Sequence, residues 1–175
     1  HPIMAASQVN YVGEPVALVV ANSLTEARNA AELVMVDYAE KQAVVDLASA
    51  QDAPAIYDEV PRNTSYEWEL GDKPATEAAF EGAAHVTELT VRNNRLIPNA
   101  IEPRAAIGDY NPATDEMTLY TTSQNPHVVR LVFTAFLGMA PEHKLRVVAP
   151  DVGGGFGSKI FIYSEESACA WASKR

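Results

Sequence analysis

Asp151-Val152-Gly153-Gly154-Gly155-Phe156-Gly157-Ser158-Lys159 is the stretch on which the reading of this 175-residue chain turns. Four of the nine glycines of the chain fall between Gly153 and Gly157. The run before it, Leu145 to Ala149, is β-branched and apolar and predicts a strand; the run after it, Glu165 to Arg175, is rich in helix formers. The loop is therefore expected between a strand and a helix. There glycines can take positive φ and turn N–H groups outward, a cradle for anionic oxygens such as those of a phosphate or an oxo group. A tight turn or bulge is the plain alternative, but it needs only one or two glycines. Two familiar loops are excluded. A Walker loop counted from Gly153 meets Ser158 where its second glycine belongs, and Ile160 after Lys159. A dinucleotide fingerprint also meets Ser158 at its third glycine position.

Working outward, Val128, Leu131, Val132 and Ala135 recur at helical spacing after Asn125-Pro126, with Gly138 as the helix stop. Before that helix, Met117 to Thr122 and Ala105 to Tyr110 predict two strands joined by the turn Asn111 to Asp115, and His85 to Arg92 alternates as a third strand of an antiparallel meander. A short helix is expected around Thr76 to Gly82. Residues 51–74, with Pro54, Pro61, Gly71 and Pro74, read as a linker, with Tyr66 to Leu70 as a short strand laid within it. Near the start, the apolar run Val16 to Ala21 predicts a strand covered on both faces. Ser23-Leu24-Thr25-Glu26 has capping-box spacing, and Val34 to Tyr38 alternates. Together these predict a strand, helix, strand unit ending near Ala50.

Composition narrows the function classes. Thirteen basic against twenty-three acidic residues give a net charge of −10, which argues against a nucleic-acid partner. The longest apolar run, Val16 to Ala21, is far shorter than a membrane span. With Cys169 as the single cysteine, no internal disulfide can form, which fits a reducing cytoplasm. A start at His1 and an end inside a helical pattern read as an internal fragment, expected to be inactive alone.

Few residues qualify for chemistry. The four histidines share no ligand spacing, so a zinc site is not expected. Glu165 and Glu166 read as favourable charge at a helix start. Glu102 could orient a loop or simply pair with its neighbour Arg104. Gln124, between a strand end and a helix, could donate to a ligand oxygen or merely stabilise its turn.

The loop Gly153 to Lys159, taken with Tyr11-Val12-Gly13-Glu14-Pro15-Val16-Ala17 and Thr122-Ser123-Gln124-Asn125-Pro126, resembles the molybdenum hydroxylase family of xanthine dehydrogenases, aldehyde oxidoreductases and aerobic carbon monoxide dehydrogenases. Gly-Phe-Gly-Ser-Lys-Ile with Tyr163-Ser164-Glu165-Glu166 is most similar to the carbon-monoxide-dehydrogenase-like branch. The resemblance implies an α+β fold: residues 1–50 as the end of an α/β hammerhead domain, 51–74 as a linker, and 75–175 as the first part of the molybdopterin-binding domain of a large subunit. It implies a molybdenum–molybdopterin cytosine dinucleotide contacted by Gly154, Gly155, Phe156 and Gly157. Gln124 would hydrogen-bond the apical oxygen ligand of the metal, with Phe156 near the molybdenum and no direct protein ligand to it. Electrons would pass to a partner small subunit with 2Fe–2S clusters and a medium subunit with FAD. The substrate would be carbon monoxide or another small carbon compound, with an aldehyde or N-heterocycle (xanthine-type) dehydrogenase of the same family as the alternative. A non-catalytic phosphate- or protein-binding module is the reading from another class. In purine-oxidising members a glutamate follows the loop lysine; this chain has Ile160 and Phe161 there, so purines are expected to be poor substrates.

Overall fold

The computed structural model describes residues 2–175, in two compact units: one combines the residues up to Asp37 with Ile97–Arg175, and the other is Tyr38–Leu96. The first unit holds a three-stranded sheet. β1 (Ala106–Asn111) pairs antiparallel with β2 (Glu116–Thr121), and β2 pairs parallel with β3 (Leu145–Val148), in the order β1-β2-β3. The two strands of the hairpin lie within a residue of the sequence expectation. Asp115 closes the turn at φ 55°, and the Asn111 side chain accepts the Ala113 N–H at 3.0 Å.

The β2–β3 crossover carries a helix. It runs as α-helix over Pro126–Leu131 (α3) and widens to a π-turn over Val132–Phe136, with Gly138 in the left-handed region at φ 60° just beyond. Arg130 ties this helix to the approach of β3 by donating to the carbonyls of Leu145 at 3.2 Å and Glu142 at 2.8 Å. Met117 and Leu119 of β2, Val129 and Phe133 of the crossover, Ala140, Leu145 and Ala170 make the core. Each large apolar side chain buried there contributes about 1.5–3 kcal/mol.

The last helix, α4 (Ser164–Ser173), lies against β1, and Gly108 sets how close it comes. A Cβ at Gly108 would stand 2.8 Å from the Cys169 carbonyl oxygen and 3.1 Å from Ala170 Cα. The Gly108 N–H donates to Cys169 Sγ at 3.2 Å. Ser173 Oγ, at 2.9 Å, is a side-chain atom and can turn away, but the other two obstacles are backbone and cannot swing aside. Gly108→Ala in the full-length subunit is therefore expected to destabilise by about 1–3 kcal/mol; an unchanged thermal midpoint would show that α4 shifts freely on the sheet.

The N-terminal stretch differs from expectation in its strands but not its helix. α1 (Leu24–Ala31) starts at Ser23, whose Oγ accepts the Glu26 N–H at 3.2 Å. Val16–Ala21 and Val34–Tyr38, expected as strands, form no ladder with any described segment. Their apolar side chains still gather on the helix, since Val16, Val19, Val34 and Val36 line a cavity of about 430 Å³ with Ala27 and Ala31. A strand exists only through a partner, and burial patterning cannot supply one.

The unit Tyr38–Leu96 carries α2 (Lys73–Glu81), capped by Asp72, whose carboxylate accepts the Ala75 N–H at 3.0 Å. The strands expected at 66–70 and 85–92 are likewise unpaired. Asn63 knits its own loop: its amide donates to the carbonyls of Ala50 at 2.8 Å and Pro54 at 3.1 Å, and its oxygen accepts the Ile56 N–H at 2.8 Å.

Candidate functional site

Strand register assembles the site. Tyr120 of β2 faces Val148 of β3 in a parallel pair, so the segments leaving both strands emerge at one sheet edge. Gln124 lies four residues beyond the first and Gly153 five beyond the second. β1 runs the other way, so its approach, Glu102 to Ala105, reaches that edge too. There the Ala105 carbonyl accepts the Thr122 N–H at 3.2 Å, and Thr122 Oγ1 accepts the Ala105 N–H at 3.1 Å. Ligands collect beyond the carboxyl ends of parallel strands for this reason.

Gln124 is exposed and joined to the glycine loop. Its Oε1 accepts the N–H groups of Gly157 at 3.1 Å and Lys159 at 3.3 Å, and its main-chain N–H donates to the Lys159 carbonyl at 2.9 Å. Two N–H donors on one atom settle the amide orientation, because the NH2 end cannot accept them. Nε2 therefore points away from the loop with its hydrogens unclaimed by any acceptor among the described residues. The turn-stabilising and ligand-facing readings of Gln124 are thus divided between its two ends.

The loop is built by positive φ at Gly154 (97°), Phe156 (52°) and Gly157 (87°). Gly155 is required for a different reason from the one its neighbours suggest. Its φ is ordinary, but a Cβ on it would lie 2.2 Å from Gln124 Oε1, so the absence of a side chain makes the seat for Gln124. Ser158 Oγ donates to the Gly155 carbonyl at 2.8 Å, and the Tyr163 hydroxyl donates to the Ser158 carbonyl. Among the described residues the N–H groups of Gly155 and Phe156 find no acceptor, and Phe156 is 76% exposed. Two adjacent free N–H donors, an outward amide and an exposed ring suit an anionic, partly planar ligand, and a molybdopterin fits that donor set.

Glu102 does not pair with Arg104. Its carboxylate accepts the Gly153 N–H and the Lys159 ammonium, both at 2.8 Å, and Lys159 also donates to the Glu102 carbonyl at 2.9 Å. The Lys159 hydrogen bond, then the Gly153 N–H, hold the Glu102 carboxyl below the usual carboxylate range. Arg104 instead pairs with Glu165 at 3.5 Å and lies 3.4 Å from the centre of the Tyr163 ring. Glu166 lies in the first turn of α4 as expected, and it is also buried; it accepts from Thr121 Oγ1 at 2.8 Å and from the Tyr163 N–H at 3.2 Å, and burial pushes its carboxyl up. The role of Lys159 was invisible in sequence, because its partner lies 57 residues earlier. Among the described residues no group of three or more His, Cys, Asp or Glu side chains is placed to hold a metal ion.

Comparison with known proteins agrees with this geometry. The molybdopterin cofactor-binding domain model matches residues 56–175, and the aldehyde oxidase and xanthine dehydrogenase a/b hammerhead domain model matches residues 1–42. The chain is 35% identical to the carbon monoxide dehydrogenase large chain of Hydrogenophaga pseudoflava over 92% of its own length and 22% of that protein's. It is also 35% identical to the nicotine 6-hydroxylase large subunit of Paenarthrobacter nicotinovorans, over 99% of this chain and 21% of that one. Reconstituted CO dehydrogenase from Oligotropha carboxidovorans superimposes with a TM-score of 0.87 at 34% identity, covering 98% of this chain and 23% of the other. The chain thus spans less than a quarter of the length of these relatives. On the two family models and the shared fold, it belongs to the molybdenum hydroxylase family of aldehyde oxidases and xanthine dehydrogenases, as the end of the hammerhead domain and the beginning of the molybdopterin-binding domain of a large subunit.

Proposed function

We propose that the chain is part of the molybdenum-binding large subunit of a carbon-monoxide-dehydrogenase-like enzyme, which oxidises carbon monoxide or another small carbon substrate with water. The observation that carries this reading is the set of unclaimed donors, Gly155 N–H, Phe156 N–H and Gln124 Nε2, at one sheet edge of a molybdopterin-binding domain. A molybdenum–pterin cofactor, when bound, supplies the two-electron oxidation. The two N–H groups would hold its anionic oxygens, Gln124 Nε2 would donate to an acceptor on it, and Gly154 and Gly157 give the backbone the positive φ that brings those groups forward. The exposed Phe156 ring would keep water from the reacting face.

The cofactor is read as the cytosine dinucleotide form, with 2Fe–2S clusters on a small subunit, FAD on a medium subunit, and the assembly in the cytoplasm. The description of relatives as large chains or large subunits supports the partner subunits, and with Cys169 as its single cysteine this chain cannot itself supply the thiolates of an iron–sulfur cluster. The division into hammerhead residues 1–50, linker 51–74 and cofactor-domain residues 75–175 is part of the same reading.

An N-heterocycle dehydrogenase is the second reading, favoured by a nicotine 6-hydroxylase subunit as similar in sequence as the carbon monoxide enzyme. The two agree on purines. Ile160 and Phe161, exposed directly after the loop, offer no hydrogen-bonding side chain. A polar purine there leaves buried groups unpaired at roughly 1–3 kcal/mol each. The complete enzyme should turn over carbon monoxide or a small aldehyde best, and xanthine worst by about tenfold or more in kcat/KM. A preference for a pyridine-type ring would select the second reading, and a preference for xanthine would sink both the purine expectation and the carbon-monoxide branch. Reproducible isolation without molybdenum and pterin would leave the non-catalytic module.

A further inference from the structure

One carboxylate holds both ends of the glycine loop. Glu102 Oε2 accepts the N–H of Gly153, where the loop begins, and the ammonium of Lys159, where it ends. The contact at the first end is reciprocal, since the Glu102 N–H donates to the Gly153 carbonyl at 3.3 Å, and a Cβ on Gly153 would stand 2.5 Å from Glu102 Cβ. At the other end the Lys159 side chain is 1% exposed, while that of Glu102 is 34% exposed. The ammonium is thus taken out of water with Glu102 as its only charged partner among the described residues, a geometry that suffers when either member is removed singly. Between these ends lie Gly155 and Phe156, whose N–H groups have no acceptor among the described residues, and Gly157, whose N–H reaches Gln124.

Resting on the cofactor reading above, we propose that Glu102 is a positioning residue: with Lys159 it forms a clasp that closes the loop and holds the free N–H groups of Gly155 and Phe156 where the cofactor meets them. Glu102 itself need not touch the cofactor. Gln124 pins the loop from one side by its amide oxygen, and the clasp pins it from the other. Lys159 belongs to both, because its N–H donates to Gln124 and its ammonium to Glu102.

The test separates clasping from simple folding. In the full-length subunit, Glu102→Ala strands a buried ammonium and lowers both the thermal midpoint and the molybdenum and pterin content. The double variant Glu102→Gln with Lys159→Met removes both charges together and leaves neither stranded, so it recovers the thermal midpoint. A merely structural pair would then recover cofactor content as well. The clasp instead requires that the double variant, folded like wild type, retain at least tenfold less molybdenum and pterin after isolation. Full cofactor content in the double variant overturns the proposal while leaving the cofactor reading intact. Wild-type subunit isolated without molybdenum and pterin removes that reading and the clasp with it.

Discussion

Gly155→Val in the full-length subunit is expected to yield a folded protein nearly free of molybdenum and pterin. A Cβ at this position lies 2.2 Å from Gln124 Oε1 and 2.6 Å from its Cδ. Both atoms are the mobile end of a side chain, so the fold survives by pushing the Gln124 amide off its seat. The Gly157 and Lys159 N–H groups then lose their acceptor, as they also do in Gln124→Ala, so the loss of cofactor rests on the crowding that valine adds. Valine's two methyl groups also stand beside the free N–H of the same residue and the next, where the ligand's oxygens would come. Crowding of this kind costs about 1–3 kcal/mol, and at 1.4 kcal/mol per factor of ten the occupancy should fall roughly tenfold to a hundredfold. Metal and pterin analysis of the purified variant, beside its thermal melt, makes the measurement. Normal cofactor content would show that the loop is only a structural turn.

Gln124→Ala is expected to have the complementary effect, with cofactor retained and turnover slowed about 10²-fold or more. Retention follows from what remains: the N–H groups of Gly155 and Phe156 do not depend on the Gln124 side chain for their freedom, and the Glu102–Lys159 contact still closes the loop. What disappears is a donor, Nε2, whose direction is set by the two bonds its own oxygen accepts. A fixed donor needs no reorganisation as charge develops, which is why its removal falls on kcat more than on binding. Gln124→Glu sharpens the comparison, because the carboxylate still accepts from Gly157 and Lys159 but cannot donate. An unchanged kcat in Gln124→Ala would return the residue to stabilising its turn.

Together the two expectations divide the loop into a part that holds and a part that acts. Gly155 serves both, since its own N–H is among the free donors and its missing side chain leaves room for Gln124. The sequence reading treated the glycines as one group with one reason, yet only Gly154 and Gly157 among the loop glycines have positive φ. Steric need and conformational need look alike in a run of glycines, and only the position of the neighbouring side chain tells them apart.

Local signals in the sequence determined much of this protein. The Ser23 cap, the Asn111–Asp115 turn, the hairpin strands and the helix starts at Pro126 and near Glu165 are each decided within a few residues, by hydrogen bonds and dihedral limits that need no distant partner. The three quoted motifs carried the family as well. Pairing was decided elsewhere. Val16–Ala21, Val34–Tyr38 and residues 85–92 have strand patterning and no ladder among the described residues, because a ladder needs a second segment at hydrogen-bonding distance. The partners of the charged residues were likewise tertiary: Glu102 chose Lys159 over adjacent Arg104, and Glu166 went into the core beneath Thr121. Sequence placed Gln124 and Gly153–Lys159 at two strand ends, but only the parallel register of β2 with β3, and the reversed β1 beside them, brought those ends and Glu102 to one edge. That register depends on the crossover helix burying Val129 and Phe133 on the sheet, a choice made by the whole core rather than by any one stretch.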